Sequence, residues 1–203
     1  MKRLLANIVS IVFHPLLMPT YGVALFFFYT YLFIFTTVWK WYLVGIVFIL
    51  TGLLPALSIA ALRKIGLVSN FEITNRRERL LPYIFTLSSY TMCLFLMWKL
   101  NVPIWVLLFV LGGEVSLAVN LLINKWWKIS AHLTGMGGMV GSVFALCYIQ
   151  MINPVWLFAT LLFCSGLLGT SRIILKQHTL GQVIAGFACG FICVFATILI
   201  WTN

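Results

Sequence analysis

Three groups of residues in this chain have types and spacings suited to chemistry on an anion. The first is Gly169-Thr170-Ser171-Arg172-Ile173-Ile174-Leu175-Lys176-Gln177-His178, followed by Thr179-Leu180-Gly181-Gln182-Val183-Ile184-Ala185-Gly186. It sets an Arg and a His at the junction of two apolar stretches, where ionisable side chains are costly and mark functional sites by default. An imidazole can attack or carry a proton near neutral pH. A guanidinium is a permanently charged, planar, bidentate partner for phosphate. The second group, Lys125-Trp126-Trp127-Lys128-Ile129-Ser130-Ala131-His132, opens a Gly-rich apolar stretch. It brings two cations, a hydroxyl and an imidazole to a helix N-terminus, whose free N–H groups already favour an anion. The third is Asn75-Arg76-Arg77-Glu78-Arg79-Leu80-Leu81-Pro82. For its arginines, a topology signal with lipid headgroup contact weighs equally with a role in a site.

Any such chemistry has to proceed without clustered carboxylates. The chain has 203 residues, with 13 Lys and Arg against 3 Asp and Glu and a formal charge of +10. It contains no Asp, and its carboxylates are Glu72, Glu78 and Glu114. Two-metal phosphoryl transfer, Asp-rich diphosphate sites and EF-hand calcium sites all require carboxylate clusters, so no metal and no other cofactor is expected. The five cysteines, Cys93, Cys147, Cys164, Cys189 and Cys193, lie in apolar runs without a His at metal-ligand spacing. They read as small buried hydrophobes. A basic excess in so apolar a chain points to anionic lipid or phosphate and away from nucleic acid.

The elements that must position these groups are membrane helices. Hydrophobic residues make up 63% and charged residues 8% of the chain, against about 45–50% and about 25% in soluble domains. A spanning helix needs about 20 apolar residues, and such runs fall near 19–38, 41–62, 82–99, 103–123, 130–150, 154–170 and 179–201. The expected fold is all-α: a polytopic helical membrane bundle of six to seven transmembrane helices, forming one domain over 1–203. Residues 4–18, broken at His14-Pro15 and ending before Pro19, are expected to be an interfacial or re-entrant piece of an additional N-terminal segment, 1–40. Lys2 and Arg3 ahead of an apolar stretch resemble a signal peptide, but no small-residue cleavage site follows, so the segment reads as retained. Gly135, Gly137, Gly138 and Gly141 dilute the fifth run. Small residues at that spacing let backbones approach, which predicts a central helix.

With seven spans, Lys2, Arg3, Arg63, Lys64, Arg76, Arg77, Arg79, Lys125, Lys128, Arg172 and Lys176 fall on one face, and Lys40 and Lys99 on the other. The positive-inside rule makes the rich face cytoplasmic, in a bacterial inner membrane. Cations placed to bind phosphate would bias the same count. On either reading the connections 63–81, 124–130 and 171–178 share a face.

Together these groups resemble the type 2 phosphatidic acid phosphatase superfamily, the integral-membrane lipid phosphate phosphatases. The family carries three signatures: Lys, six residues, Arg-Pro; Pro-Ser-Gly-His; and Ser-Arg, five residues, His, three residues, Asp. The third is matched by Ser171, Arg172 and His178, with Gln182 standing at the Asp position. The second is matched by Ser130 and His132, with Ile129 and Ala131 in place of Pro and Gly. The first is not present as written; its Lys would correspond to Lys125 or Lys128, and its Arg to one in the run before Pro82. The resemblance covers roughly residues 75–195. It implies that His178 attacks phosphorus to form a phosphohistidine, that His132 protonates the leaving group, and that Gln182 orients His178. Phosphate would be held by Arg172, Lys128, Ser130, Ser171, Lys125 and Arg79. A Gln carbonyl can accept from an imidazole N–H but brings no charge, so a missing charge would have to come from Glu78 or Glu114.

Two functions follow as expectations. One is a metal-independent phosphatase acting on a membrane lipid that bears a phosphate monoester or diphosphate. The other is a weakly active or inactive relative that binds or senses phosphorylated lipid. The oligomeric state is left open. His14 reads as shaping a helix start rather than acting in a site, and Glu114 has no assigned role. Trp126, Trp127 and Trp201 read as interfacial anchors.

Overall fold

A computed structural model describes residues 1–71, 73 and 75–200 in full, and 201–202 by backbone. Glu72 and the Trp201 side chain lie outside the described set. The helices are α1 (Lys2–Val12), α2 (Met18–Tyr29), α3 (Thr37–Val47), α4 (Leu54–Lys64), α5 (Leu80–Lys99), α6 (Ile104–Ile123), α7 (Ala131–Gln150), α8 (Val155–Ile174) and α9 (Leu180–Thr202). A π-helical stretch, Phe48–Leu53, joins α3 to α4 just before Pro55, whose ring and missing N–H disturb the preceding ladder. Among the described residues, seven stretches are long and apolar enough to cross a membrane: Lys2–Tyr29, Thr37–Lys64, Arg76–Lys99, Ile104–Ile123, Ala131–Gln150, Val155–Ile174 and Leu180–Ile200. The chain is an integral membrane helical bundle.

The first span differs from the expected 19–38 at both ends. Thr30 Oγ1 donates to the Phe26 carbonyl at 2.6 Å and accepts from the Leu32 N–H at 3.3 Å. One hydroxyl thus closes α2 and opens the 3-10 turn Tyr31–Ile34. Thr36 then caps α3 by accepting from the Trp39 N–H at 3.4 Å. Hydroxyls that bond their own backbone are helix punctuation that an apolar run conceals. At the near end, the described span runs back well before residue 19. Residues 4–18 hold most of α1 and the turn Pro15–Leu17, which leads straight into α2. The break at His14 lets the two halves choose different partners: α1 packs on α8, and α2 on α3, α6 and α7.

At the centre stands α7, 72% of whose span is buried, against 28–39% for the others. Its closest neighbour is α9. A Cβ at Gly190 would overlap the Thr134 carbonyl, and one at Gly186 would lie 2.5 Å from the Ser130 carbonyl. One glycine per turn of α9 therefore meets one carbonyl per turn of α7, the close approach that small residues permit in membranes.

Hydrogen bonds fix which connections share an end of the bundle. Arg76 Nη1 donates to the Lys125 carbonyl at 3.0 Å, Asn124 Nδ2 to the Arg76 carbonyl at 2.8 Å, and the Ser130 N–H to the Gln182 carbonyl at 3.3 Å. These join the connections 63–81 and 124–130 to each other and to the first turn of α9, which directly follows 171–178. At the other end Trp105 Nε1 donates to the Tyr31 hydroxyl at 2.9 Å. The sixth span runs to Ile174 rather than 170, so Arg172 belongs to the last turn of α8 and not to a loop.

Candidate functional site

At the basic end a cavity of about 120 Å³ is lined by His14, Arg79, Tyr83, His132, Arg172 and His178, among others. All three histidines of the chain meet there. A second, apolar cavity of about 70 Å³ adjoins it, sharing Pro15, Tyr90, Leu117 and Ala131 and running on past Met18, Phe109 and Val194.

Local sequence puts His178 over Arg172. Helix α8 ends in a Schellman motif: the Lys176 N–H donates to the Ile173 carbonyl at 2.9 Å and the Gln177 N–H to the Arg172 carbonyl at 3.1 Å. Lys176 takes the left-handed backbone this cap requires, with φ 56°. The His178 N–H also points at the Arg172 carbonyl, at 3.4 Å. The guanidinium and the imidazole are thus placed by one turn of backbone, and both side chains are buried.

Helix α9 then opens with a capping box. The Thr179 N–H donates to Gln182 Oε1 at 3.2 Å, and the Gln182 N–H donates back to Thr179 Oγ1 at 3.5 Å. The same Gln182 Oε1 lies 3.0 Å from His178 Nδ1. Because that oxygen is an acceptor, a neutral His178 carries its proton on Nδ1, which puts its lone pair on Nε2. Burial pushes the His178 pKa down to about 4. The bond to Gln182 opposes this, while the charges of Arg79, Lys128 and Arg172 add to it. The ring is neutral at pH 7.

The α7–α9 seam sets the facing wall. Ser130 is fully buried, and its Oγ has no hydrogen-bond partner among the described residues. A buried hydroxyl left so is costly unless a ligand engages it. Thr134 Oγ1 donates to the Ser130 carbonyl at 3.0 Å and accepts from Asn120 Nδ2 at 2.8 Å, tying α6 to the seam. Arg79 is buried and strapped by two carbonyls, donating from Nε to Ile73 at 3.0 Å and from Nη1 to Ile129 at 3.2 Å.

Of the expected site residues, His178, His132, Arg172 and Arg79 line the cavity, Gln182 holds His178, and Ser130 directly precedes the cavity-lining Ala131 and His132. Lys128 is half-buried, and its charge reaches His178. Two others go elsewhere. Ser171 Oγ donates to the Leu167 carbonyl at 2.8 Å, as helix hydroxyls do when nothing else competes. Lys125 is exposed in a separate surface groove with Arg76 and Arg77, because its backbone is the part the fold uses. Nor do the two described carboxylates supply His178 with charge. Glu78 accepts from the Ser69 N–H, the Ser69 hydroxyl and Asn75 Nδ2 at 2.7, 2.9 and 3.0 Å, and Glu114 accepts from Thr91 Oγ1 at 2.6 Å. Among the described residues no three His, Cys, Asp or Glu are grouped to hold a metal ion.

His14, which in the sequence reads as shaping a helix start, is in the cavity wall, its ring centroid 5.3 Å from that of His132. The signal was the His-Pro break itself, which marks a backbone that must leave its helix. The Thr-x-x-Gln capping box was also legible, and it explains why a Gln serves at this position. Compared with known proteins, the chain matches no family model, no curated protein and no solved structure.

Proposed function

We propose that this protein is a metal-independent lipid phosphatase, a divergent relative of the type 2 phosphatidic acid phosphatases. It hydrolyses a phosphate monoester or diphosphate on a membrane lipid through a phosphohistidine, at the cytoplasmic face of a bacterial inner membrane. One observation carries the reading: a neutral histidine with its lone pair on Nε2 shares a buried cavity with two arginines and a second histidine, at one end of a membrane bundle. The adjoining apolar cavity suits the first carbons of a lipid chain.

The steps follow from the residues. Arg172, Arg79 and Lys128 neutralise the phosphate oxygens, and the Ser130 hydroxyl donates to one of them. The His178 Nε2 lone pair forms a bond to phosphorus. The bond from phosphorus to the leaving oxygen breaks with its electron pair on oxygen, and His132 protonates that oxygen. His132, now neutral, takes a proton from water as the water oxygen attacks phosphorus. The N–P bond electrons return to His178, and phosphate leaves. Gln182 keeps the Nδ1 proton in place throughout but brings no charge, so the positive phosphoimidazole is balanced by the phosphoryl oxygens themselves.

Gln182 is also the observation that favours the second reading, a binder of phosphorylated lipid without turnover. Phosphate release from purified phospholipids and polyprenyl phosphates, with chelator present, separates the two. Turnover in chelator, with an acid-labile and base-stable phosphoprotein trapped by rapid quench, supports the phosphatase. Activity lost in chelator and restored by magnesium overturns the metal-free mechanism, and binding without any turnover replaces it with the binder.

A further inference from the structure

We propose that His14 is a third catalytic imidazole of this site, donating a hydrogen bond from Nε2 to an oxygen of the bound phosphate. The inference rests on the phosphatase reading and extends it to a residue outside the part of the chain that resembles the family.

Three observations carry it. His14 lines the same cavity as His132, Arg172 and His178, although it reaches that cavity from the N-terminal segment. Its backbone is extended, φ −66° and ψ 136°, at the break between α1 and the turn Pro15–Leu17, so the ring is set by punctuation and not by a helix face. The ring also stands edge-on to His132, at an interplanar angle of 76°. Its tautomer is fixed by the same logic as that of His178, with the opposite outcome. The Leu16 N–H donates to His14 Nδ1 at 3.4 Å, so a neutral His14 carries its proton on Nε2. On Nε2, His178 carries a lone pair and a neutral His14 carries an N–H.

A neutral donor is what this cavity can accommodate. The charges of Arg79, Lys128 and Arg172 already act on His178, and Arg79 and Arg172 line the cavity. A fourth permanent cation would make it harder for His132 to hold the proton that it must deliver. An N–H dipole binds a phosphate oxygen without that penalty.

The competing explanation is that His14 only caps the Pro15–Leu17 turn. His14→Asn separates the two, because an Asn side chain is among the best N-caps while lacking the distal imidazole N–H. With a short-chain phosphatidate as substrate, His14→Asn lowers kcat/KM about 10–100-fold, as expected for a lost hydrogen bond to a charged group, and leaves the melting temperature in detergent unchanged. It also weakens binding of a non-hydrolysable phosphonate analogue. His14→Ala loses the same activity and melts lower. In 15N-histidine-labelled wild type, the His14 Nε2–H resonance shifts when the phosphonate binds. His14→Asn with wild-type kcat/KM and phosphonate affinity, or a His14 resonance that does not respond, overturns the proposal. A wild type that binds phosphonate without hydrolysing any phosphate ester removes the phosphatase reading, while weaker binding by His14→Asn still supports the contact. A wild type that neither binds nor hydrolyses removes both.

Discussion

The α7–α9 seam and the segment 14–19 deliver imidazoles to one cavity by opposite means. In the seam, glycines remove side chains until two backbones nearly touch, and His132 and His178 are carried at the ends of helices that cannot shift separately. In the segment, Pro15 and Pro19 bracket a short turn, and His14 is held by its own cap. Close packing transmits strain and tolerates little change, whereas a capped turn depends on a few local bonds. His178 and His132, assigned to bond making and proton transfer, sit on the rigid half together with Ser130, whereas His14, assigned to holding oxygen, sits on the local half.

That contrast can be broken first at the seam. Gly190→Leu drives a branched side chain into the Thr134 carbonyl, and overpacking of this kind costs about 3 kcal/mol. Folded protein in detergent and phosphate release should both be lost; a variant that melts like wild type would falsify the claim that the seam positions the site. Next comes the nucleophile. His178→Asn should reduce phosphate release by about 10³-fold or more while phosphonate affinity stays near wild type, since Arg172 and Arg79 remain; turnover at the wild-type rate would rule out a phosphohistidine. Smaller again is Arg79→Lys. A single ammonium cannot bridge the Ile73 and Ile129 carbonyls as the guanidinium does, so KM should rise about 10-fold. Arg77→Ala, in the exposed groove outside the cavity, should change it less than about twofold; equal effects at the two positions would mean that only face charge matters.

The most discriminating change is at Gln182. Wild-type His178 is neutral down to about pH 4, so the acid limb of kcat/KM should lie near that pH rather than near the ordinary 6.5. Stability has the matching sign: the unfolded chain takes up a proton below 6.5 that the native His178 refuses, so native stability falls as pH drops from 6.5 to 4. Gln182→Glu keeps the length that the capping box needs and adds a charge that favours the imidazolium. The acid limb should move upward in pH and turnover at pH 8 should rise several-fold. An unmoved limb would mean that a group other than His178 controls it.

Much of this was legible in the residues. Apolar runs of spanning length gave the helical membrane bundle, glycines at helical spacing gave the central helix, and Arg172 with His178 marked the cavity, because each of these is a local pattern with a local physical cause. Thr30 and Thr36 ended the first span early because a hydroxyl bonded to its own backbone does not lower an apolar average. Ser171 bonds the Leu167 carbonyl of its own helix, Arg79 is drawn in by the carbonyls of Ile73 and Ile129, and Lys125 contributes its backbone to Arg76. These choices are set by neighbours distant in sequence or by side-chain rotamer. His14 is separated from His132 by more than half the chain, and no spacing rule reaches across such a distance. By itself the sequence determined that this chain spans a membrane and gathers cations and imidazoles at one end of its helices. Only the tertiary packing decided which of them share a cavity, since that depends on helix rotation and close approach, to which residue type and order along the chain are indifferent.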